Sequence, residues 1–318
     1  MGEDVNKMNG KALETLEQRL GVKHARQRID IEEAHSAQIF GQGRNFFHIE
    51  NWYSVHSVIR NTLRLFFMHR KGKRNARDIQ VRYNMVKFPH LHKDLDGFTI
   101  LHLSDLHVDM DEKATQALME RVREVNYDIC VMTGDYRART YGEIENSLAA
   151  MARVRMQLKK SVYAVLGNHD SILMVPALEE MGIQFLINEN TLIKQGQGEL
   201  FLAGIDDAHY YRVDDIPKAA NGVTESTPSI LLSHTPAIYL QAAEAGFDLM
   251  LSGHTHGGQI CLPGGIPIIL DSDCPRFVGK EAWHYNNLQG YTSVGAGTSV
   301  VNVRINCLPE ITLHTLRR

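Results

Sequence analysis

The chain has little of what would anchor it in a bilayer, cross-link it or tie it to nucleic acid. Its four cysteines, Cys130, Cys261, Cys274 and Cys307, form no CxxC pair, so neither a disulfide framework nor a thiolate zinc site is indicated and a reducing, cytoplasmic setting is expected. No apolar run approaches the ~20 residues needed to span a membrane. The opening Met1-Gly2-Glu3-Asp4 lacks the basic and apolar regions of a secretory leader, and Asn6 stands where N-myristoylation requires Ser or Thr. A formal net charge of −3 gives no broad basic surface, so no nucleic-acid partner is expected. Internal repeats and low-complexity tracts are also missing.

What is present falls into two parts. Residues 1 to about 50 are polar and partly helical, with Leu13, Leu16 and Leu20 at helix spacing. They carry no chemical motif and suit an arm or an oligomerisation element. Over 51–77, Trp52, Val55, Ile59, Leu63 and Phe66 would share one helix face, and Arg70, Lys71, Lys73, Arg74 and Arg77 follow with no acid between them. An apolar stripe beside a basic cluster suits a helix lying on an anionic membrane, on the inner face of the cytoplasmic membrane if the protein is cytoplasmic. The plainer reading is a helix packed on the domain or on a second subunit, with a solvated basic tail. Residues 1–95 are thus expected to form a helical extension and residues 96–318 the main domain.

From residue 98 the pattern alternates. Apolar strands are expected at 98–103, 128–132 and 161–166, separated by helices carrying Ala114, Leu118, Val122 and Val125, then Ile144, Leu148, Met151 and Leu158. Strands follow at 183–187, 191–194, 200–205, 230–233, 249–252, 291–294 and 311–316. Such a chain is an α/β protein with a largely parallel sheet, and its ligands belong at the carboxyl ends of strands. Two sheets packed face to face with helices outside are expected.

Those strand ends carry the chemistry: Asp105 and His107 in SDLHVD, Asp135 in TGD, Asn168 and His169 in GNHD, His234 in SHT, and His254 and His256 in GHTHGGQ. On an extended segment residues i and i+2 point the same way, so each spaced pair would face one volume. Singly, each has a plainer role: Asp105 or Asp135 as a helix cap, Asn168 in a turn, His234 as a core histidine. Together they make a two-metal set. Asp135 is the candidate bridge, Asp105, His107 and His256 would hold one divalent ion, and Asn168, His234 and His254 the other. Imidazole, carboxylate and amide ligation without thiolates suits manganese foremost, or iron, zinc or cobalt, over calcium.

In this order the motifs DLH, GD, GNHD, a later His and GHTH resemble the calcineurin-like metallophosphoesterase superfamily, over residues from about 98 to 318. The resemblance implies an αββα two-sheet sandwich and supports the ligand set. GHTHGGQ with GIDD at 204–207 looks most like a bacterial branch of membrane-associated phosphodiesterases that includes enzymes similar to UDP-2,3-diacylglucosamine pyrophosphatases. One departure is plain. The protein phosphatase branch carries GDxxDRG, whereas Asp135 is followed here by Tyr136-Arg137-Ala138-Arg139, so His169 must be oriented by another group, for which Asp170 is the candidate.

The expected reaction is metal-assisted hydrolysis of a phosphoester or diphosphate, with His169 protonating the leaving oxygen or holding the phosphoryl group. The plainer role for His169 is to fix Asn168 from behind. Arg139, Asp207 and His209 are candidate substrate contacts. The basic 51–77 segment points to a membrane-associated lipid or nucleotide-lipid substrate. A cyclic-nucleotide or general phosphodiesterase and a non-catalytic scaffold of the same fold are the alternatives.

Overall fold

A computed structural model of the protein describes residues 2–39, 68–270 and 272–318. Most of the expected amphipathic segment, 51–67, lies outside the described residues. Helices α1 (Gly2–Leu20) and α2 (Val22–Ile39) form the N-terminal arm, and α3 (Met68–Asn75) is a short basic helix. The main domain runs through β1 (Gln80–Lys87), β2 (Thr99–Leu103), α4 (Glu112–Glu124), β3 (Ile129–Thr133), α5 (Glu145–Arg155), β4 (Val162–Val165), α6 (Val175–Glu180) and β5 (Ile183–Phe185). The second half contains β6 (Glu189–Gln195), β7 (Gly198–Gly204), α7 (Ile216–Ala219), β8 (Ser229–Leu232), α8 (Tyr239–Glu244), β9 (Leu249–Ser252), β10 (Cys261–Leu262), β11 (Ile266–Pro267), β12 (Glu281–Tyr285), β13 (Leu288–Thr292) and β14 (Glu310–Arg317).

The strands form two six-stranded sheets, ordered β1-β14-β2-β3-β4-β5 and β12-β13-β9-β8-β7-β6. β2 to β5 are mutually parallel, as are β7, β8, β9 and β13. Period-2 alternation divides their side chains between layers. Ile100, Ile129 and Val131 meet Leu202, Ile230, Leu232 and Leu251 between the sheets. Leu101, Cys130 and Met132 face the other way, into a core shared with Leu118, Val122 and Met151 of the covering helices. Leu231 and Met250 pack outward under Ile216, Ile238 and Ala242. The result is the four-layer αββα sandwich.

The structure adds to the expectations and departs from them in places. The sheet crosses the boundary drawn at residue 96, because β1 pairs in parallel with β14 over Gln80–Lys87. β1 escapes sequence reading because it is an edge strand: Tyr83 and Met85 are exposed and Val86 is its one fully buried residue. β12 and the β10–β11 hairpin also lack a buried apolar run. The arm is docked on the domain, with Leu16 and Leu20 in the core beneath the first sheet's helices.

Candidate metal centre

β2, β3, β4, β8 and β9 all stop at one end of the sandwich, and each releases its ligand-type residue within a few positions of its last paired residue. Asp105 (φ 51°), His107 (φ 40°), Asp135 (φ 59°), His254 (φ 72°) and His256 (φ 49°) all lie in left-handed backbone. The expected mechanism, alternation along a strand, is therefore corrected: the pairs converge because left-handed turns aim them, at ~1–2 kcal/mol per residue. Close approach of the turns depends on two glycines. A Cβ on Gly167 would collide with the Asp135 carboxylate, and one on Gly253 with Ser104 Oγ.

The seven candidate ligands share one buried volume. His107 Nε2 lies 3.2 Å from His256 Nε2 and 3.6 Å from Asp135 Oδ2, while His256 Nε2 is 3.4 Å from Asp105 Oδ1. On the other side His234 Nε2 is 3.4 Å from Asp135 Oδ1 and 2.9 Å from Asn168 Oδ1. Asp135 thus turns one oxygen to each half, the arrangement a bridging carboxylate needs. Three groupings could each hold an ion: Asp105, His107 and His256; Asp105, Asp135 and His234; and His107, Asp135 and His169. His254 completes the wall, its ring centroid 5.0 Å from that of His234, and its buried Nε2 has no hydrogen-bond partner among the described residues.

The protons reveal what the volume is built for. His107 Nδ1 meets Arg137 O at 2.7 Å and His234 Nδ1 meets Thr133 O at 2.6 Å. A carbonyl only accepts, so both Nδ1 atoms carry hydrogen and both Nε2 atoms face the centre. Burial lowers the His234 pKa, but the Asp135 carboxylate outweighs it and the net shift is up, to about 10. Asp135, despite burial, is held well below the usual carboxylate range by His234 and His169. Burial, with neighbouring His209 and His107 respectively, pushes His254 and His256 well below the usual imidazole value. Carboxylates, an amide oxygen and inward ring nitrogens packed this closely fit divalent cations.

Supporting groups fix these ligands. Asp170 does not orient the His169 ring as expected: His169 Nδ1 meets Ala138 O at 2.9 Å, and Ala138 N in turn donates to Asp109 Oδ1 at 2.7 Å. The Asp170 carboxylate instead gathers backbone N–H groups of the two ligand turns, those of Asp135, Tyr136 and Gly167. Ser104 Oγ donates to Asp105 Oδ2 at 2.6 Å. Gln259, the last residue of GHTHGGQ, bonds Ser299 N through Oε1 and Ser299 O through Nε2, both at 2.8 Å. Arg304 is fully buried behind His256, with Nη2 at 2.6 Å from Val294 O and 2.7 Å from Gly297 O. Nothing in the sequence around Arg304 signals this role.

The three substrate candidates separate. His209 lies at the rim, its ring centroid 4.3 Å from that of His254. Asp207 is buried, and its Oδ2 accepts Tyr210 N at 2.6 Å and Tyr211 N at 2.7 Å, so it holds the turn that carries His209. Arg139 is exposed; the inward arginine of that loop is Arg137, which donates to the His169 carbonyl and, at 2.9 Å, to Thr140 O.

The arm reaches the same region with residues that sequence reading passed over. His24, Arg28 and Glu32 recur every four residues on α2 and so share one face. His24 Nε2 meets Asp206 Oδ2 at 3.0 Å, and Glu32 accepts Ser171 Oγ at 2.6 Å and Ile172 N at 2.8 Å. Arg28, fully buried, lies 3.1 Å over the Tyr211 ring, pairs with Glu32 and Asp206, and donates to Asp170 O at 3.1 Å. One helix face thereby ties the GNHD turn to the GIDD turn.

The family model for calcineurin-like phosphoesterases matches residues 98–258. An uncharacterized metallophosphoesterase of Bacillus subtilis, YkoQ, is 30% identical over 256 residues, 77% of this chain and 93% of that protein. Phosphodiesterase YaeI of Escherichia coli is 28% identical, over 69% of this chain and 82% of its own length. A transmembrane protein with metallophosphoesterase domain from Danio rerio is 30% identical over 76% of this chain, which spans 57% of that protein.

Proposed function

The chain belongs to the calcineurin-like phosphoesterase family, and from that premise we propose that it is a two-metal phosphodiester or diphosphate hydrolase acting on a membrane-associated, lipid-linked substrate. The observation that carries the hydrolase reading is Asp135, whose two carboxylate oxygens face His107 and His234 at 3.6 and 3.4 Å. Asp105, His107 and His256 would hold one ion and Asn168, His234 and His254 the other, with Asp135 shared; manganese is the proposed metal. Bound there, the ions supply Lewis-acid charge against the phosphoryl oxygens. His169, its Nε2 3.9 Å from Asp135 Oδ2 and its other nitrogen anchored on Ala138 O, delivers a proton to the leaving oxygen. His209 faces the entering substrate.

The lipid reading is supported by the basic run that follows 51–67, most of which forms α3 on the domain surface, and by a relative that carries a membrane-spanning part in its name. No helix among the described residues is long and apolar enough to cross a membrane. A soluble phosphodiester such as a cyclic nucleotide is the second reading, favoured by the relative named simply as a phosphodiesterase. A manganese-supplemented panel of bis-p-nitrophenyl phosphate, cyclic nucleotides and UDP-diacylglucosamine, with Asp135→Ala as control, separates them. Metal-dependent turnover that favours the lipid diphosphate supports the proposal. Turnover of cyclic nucleotides alone favours the second reading, and no metal-dependent turnover of any substrate refutes both.

A further inference from the structure

The turn that carries His254 and His256 continues directly into the β10–β11 hairpin, and that hairpin presents apolar side chains to solvent. Leu262, Ile266, Ile268 and Ile269 are 51, 53, 54 and 57% exposed, and Phe277 just beyond is 52% exposed. These five are most of the large hydrophobic residues left uncovered beyond residue 200. So many exposed apolar side chains within one short stretch are rare on a soluble surface unless something covers them. The hairpin is firmly held: Cys261 N donates to Ile305 O at 2.9 Å, Asn306 Nδ2 to Cys261 O at 2.9 Å and Lys280 Nζ to Gly265 O at 2.8 Å. Gly258, within GHTHGGQ, packs so tightly on Pro267 that a Cβ there would collide.

On the far side of the same 303–306 segment lies α3. Its Gly72 sits against Val303 and Ile305, its Gly72 O accepts Arg304 N at 2.9 Å, and Asn75 Nδ2 donates to Arg304 O at 3.0 Å. α3 (MHRKGKRN) has no acid, and Arg70, Lys71, Lys73 and Arg74 are all exposed. Exposed aliphatic residues and a cluster of cations therefore flank one segment, beside the metal centre.

We propose that the β10–β11 hairpin and α3 together form a docking surface for an anionic lipid bilayer, the isoleucines entering below the headgroups and the α3 cations meeting lipid phosphates. This proposal rests on the membrane-associated reading of the substrate and extends it to a specific surface outside 51–67. The combination selects the occupant. Aliphatic tips beside a helix with four exposed cations and no acid of its own match an interface of acyl chains and negative headgroups, and Asp273, exposed between Ile269 and Phe277, is the acid that the α3 cations outnumber. Docked this way, the metal centre opens beside the bilayer, and a lipid headgroup could reach it while its acyl chains stay in the membrane.

The test uses the full chain and vesicles of phosphatidylcholine with or without phosphatidylglycerol, read by co-sedimentation. Wild type is expected to partition at least tenfold more strongly onto the anionic vesicles. Ile268→Glu with Ile269→Glu should lower that binding at least tenfold, and Lys71→Glu with Lys73→Glu should abolish the anionic preference and its salt dependence. Both variants should hydrolyse bis-p-nitrophenyl phosphate in solution like wild type, which shows that they fold; Ile268→Ser with Ile269→Ser serves if the glutamates disturb folding. Hairpin variants that bind anionic vesicles within twofold of wild type overturn the proposal, as does a wild type that binds neither vesicle. A hairpin variant that converts a dimer to a monomer without changing vesicle binding identifies a contact between copies and also overturns it. Hydrolysis of the lipid diphosphate in mixed micelles is scored separately: its absence alongside hairpin-dependent binding overturns the substrate reading alone, and its presence without such binding overturns the docking surface alone.

Discussion

Asp170 Oδ2 accepts the backbone N–H of Asp135 at 2.7 Å. The same carboxylate accepts Gly167 N at 2.9 Å and Tyr136 N at 2.8 Å, so one buried side chain clasps the turn carrying the bridge and the turn carrying Asn168 and His169. Asp170→Asn keeps the shape but turns an NH2 group against one of these donors. Metal affinity is expected to fall ~10–100-fold, the range for groups that hold ligands from behind. Equilibrium dialysis with manganese checks it; wild-type affinity in the variant would mean the turns hold themselves.

His169 acts on the leaving oxygen, so the effect of its loss should depend on the leaving group. Burial lowers its pKa to about 4, and with Nδ1 on Ala138 O the resting ring is neutral with a free inward Nε2. It becomes a donor only once an anionic substrate offsets that burial. His169→Gln should cost ~10²–10⁴-fold in kcat on an alkyl phosphodiester and far less on p-nitrophenyl esters, whose leaving group needs no proton. Equal losses on both substrates would assign His169 to phosphoryl binding instead.

The sequence carried the strand ends and their ligands because burial writes a continuous apolar code, as in 128–132 and 249–252, and ligand residues stand out where that code stops. It could not carry the left-handed geometry at Asp105 or His254, since non-glycine residues seldom adopt it. Nor could it show what stands behind the ligands. Nothing near Arg28 or Arg304 in the sequence marks them as buried, because an arginine's burial depends on partners distant in sequence, here Asp206 and the carbonyls of Val294 and Gly297. β1 and β12 were hidden for the opposite reason: edge strands need little apolar surface.

Arg28 gives a direct measure of how firmly the arm is held. Its guanidinium and the Asp206 carboxylate are both fully buried, and Arg28→Ala would leave that carboxylate short of its cation. The loss is expected to be about 3–5 kcal/mol, as for other broken buried pairs. Urea unfolding reads it, and Arg28→Lys should recover part. A loss below about 1 kcal/mol would show that the arm's polar stripe adds little to holding the domain together.

Behind Asp105 runs a buried polar chain whose histidines set a pH limit on stability. Asn84 Nδ2 meets His314 Nδ1 at 3.0 Å, His314 Nε2 meets His102 Nδ1 at 3.3 Å, and His102 Nε2 meets Thr133 Oγ1 at 2.9 Å. Thr133 Oγ1 then donates to Ser104 Oγ at 2.7 Å, and Ser104 to Asp105. With Asn84 as donor at one end, every hydrogen points toward the Asp105 carboxylate, and both rings are neutral. Burial lowers His102 to about 3, and burial with the neighbouring His102 holds His314 well below the usual imidazole value. In the unfolded chain both rings take up protons near pH 6.5. Their contribution to stability is therefore complete above ~6.5 and is lost as pH falls from there toward the folded pKa values, because only the unfolded chain gains protons in that window. Each should remove about 1.4 kcal/mol per pH unit. Urea unfolding of chelator-treated protein between pH 6.5 and 4.5 should show a slope to which these two rings contribute alongside the other shifted histidines, and His102→Gln with His314→Gln should flatten it by about 3 kcal/mol per pH unit. An unchanged slope in the double variant would mean that the two rings already carry protons in the folded protein.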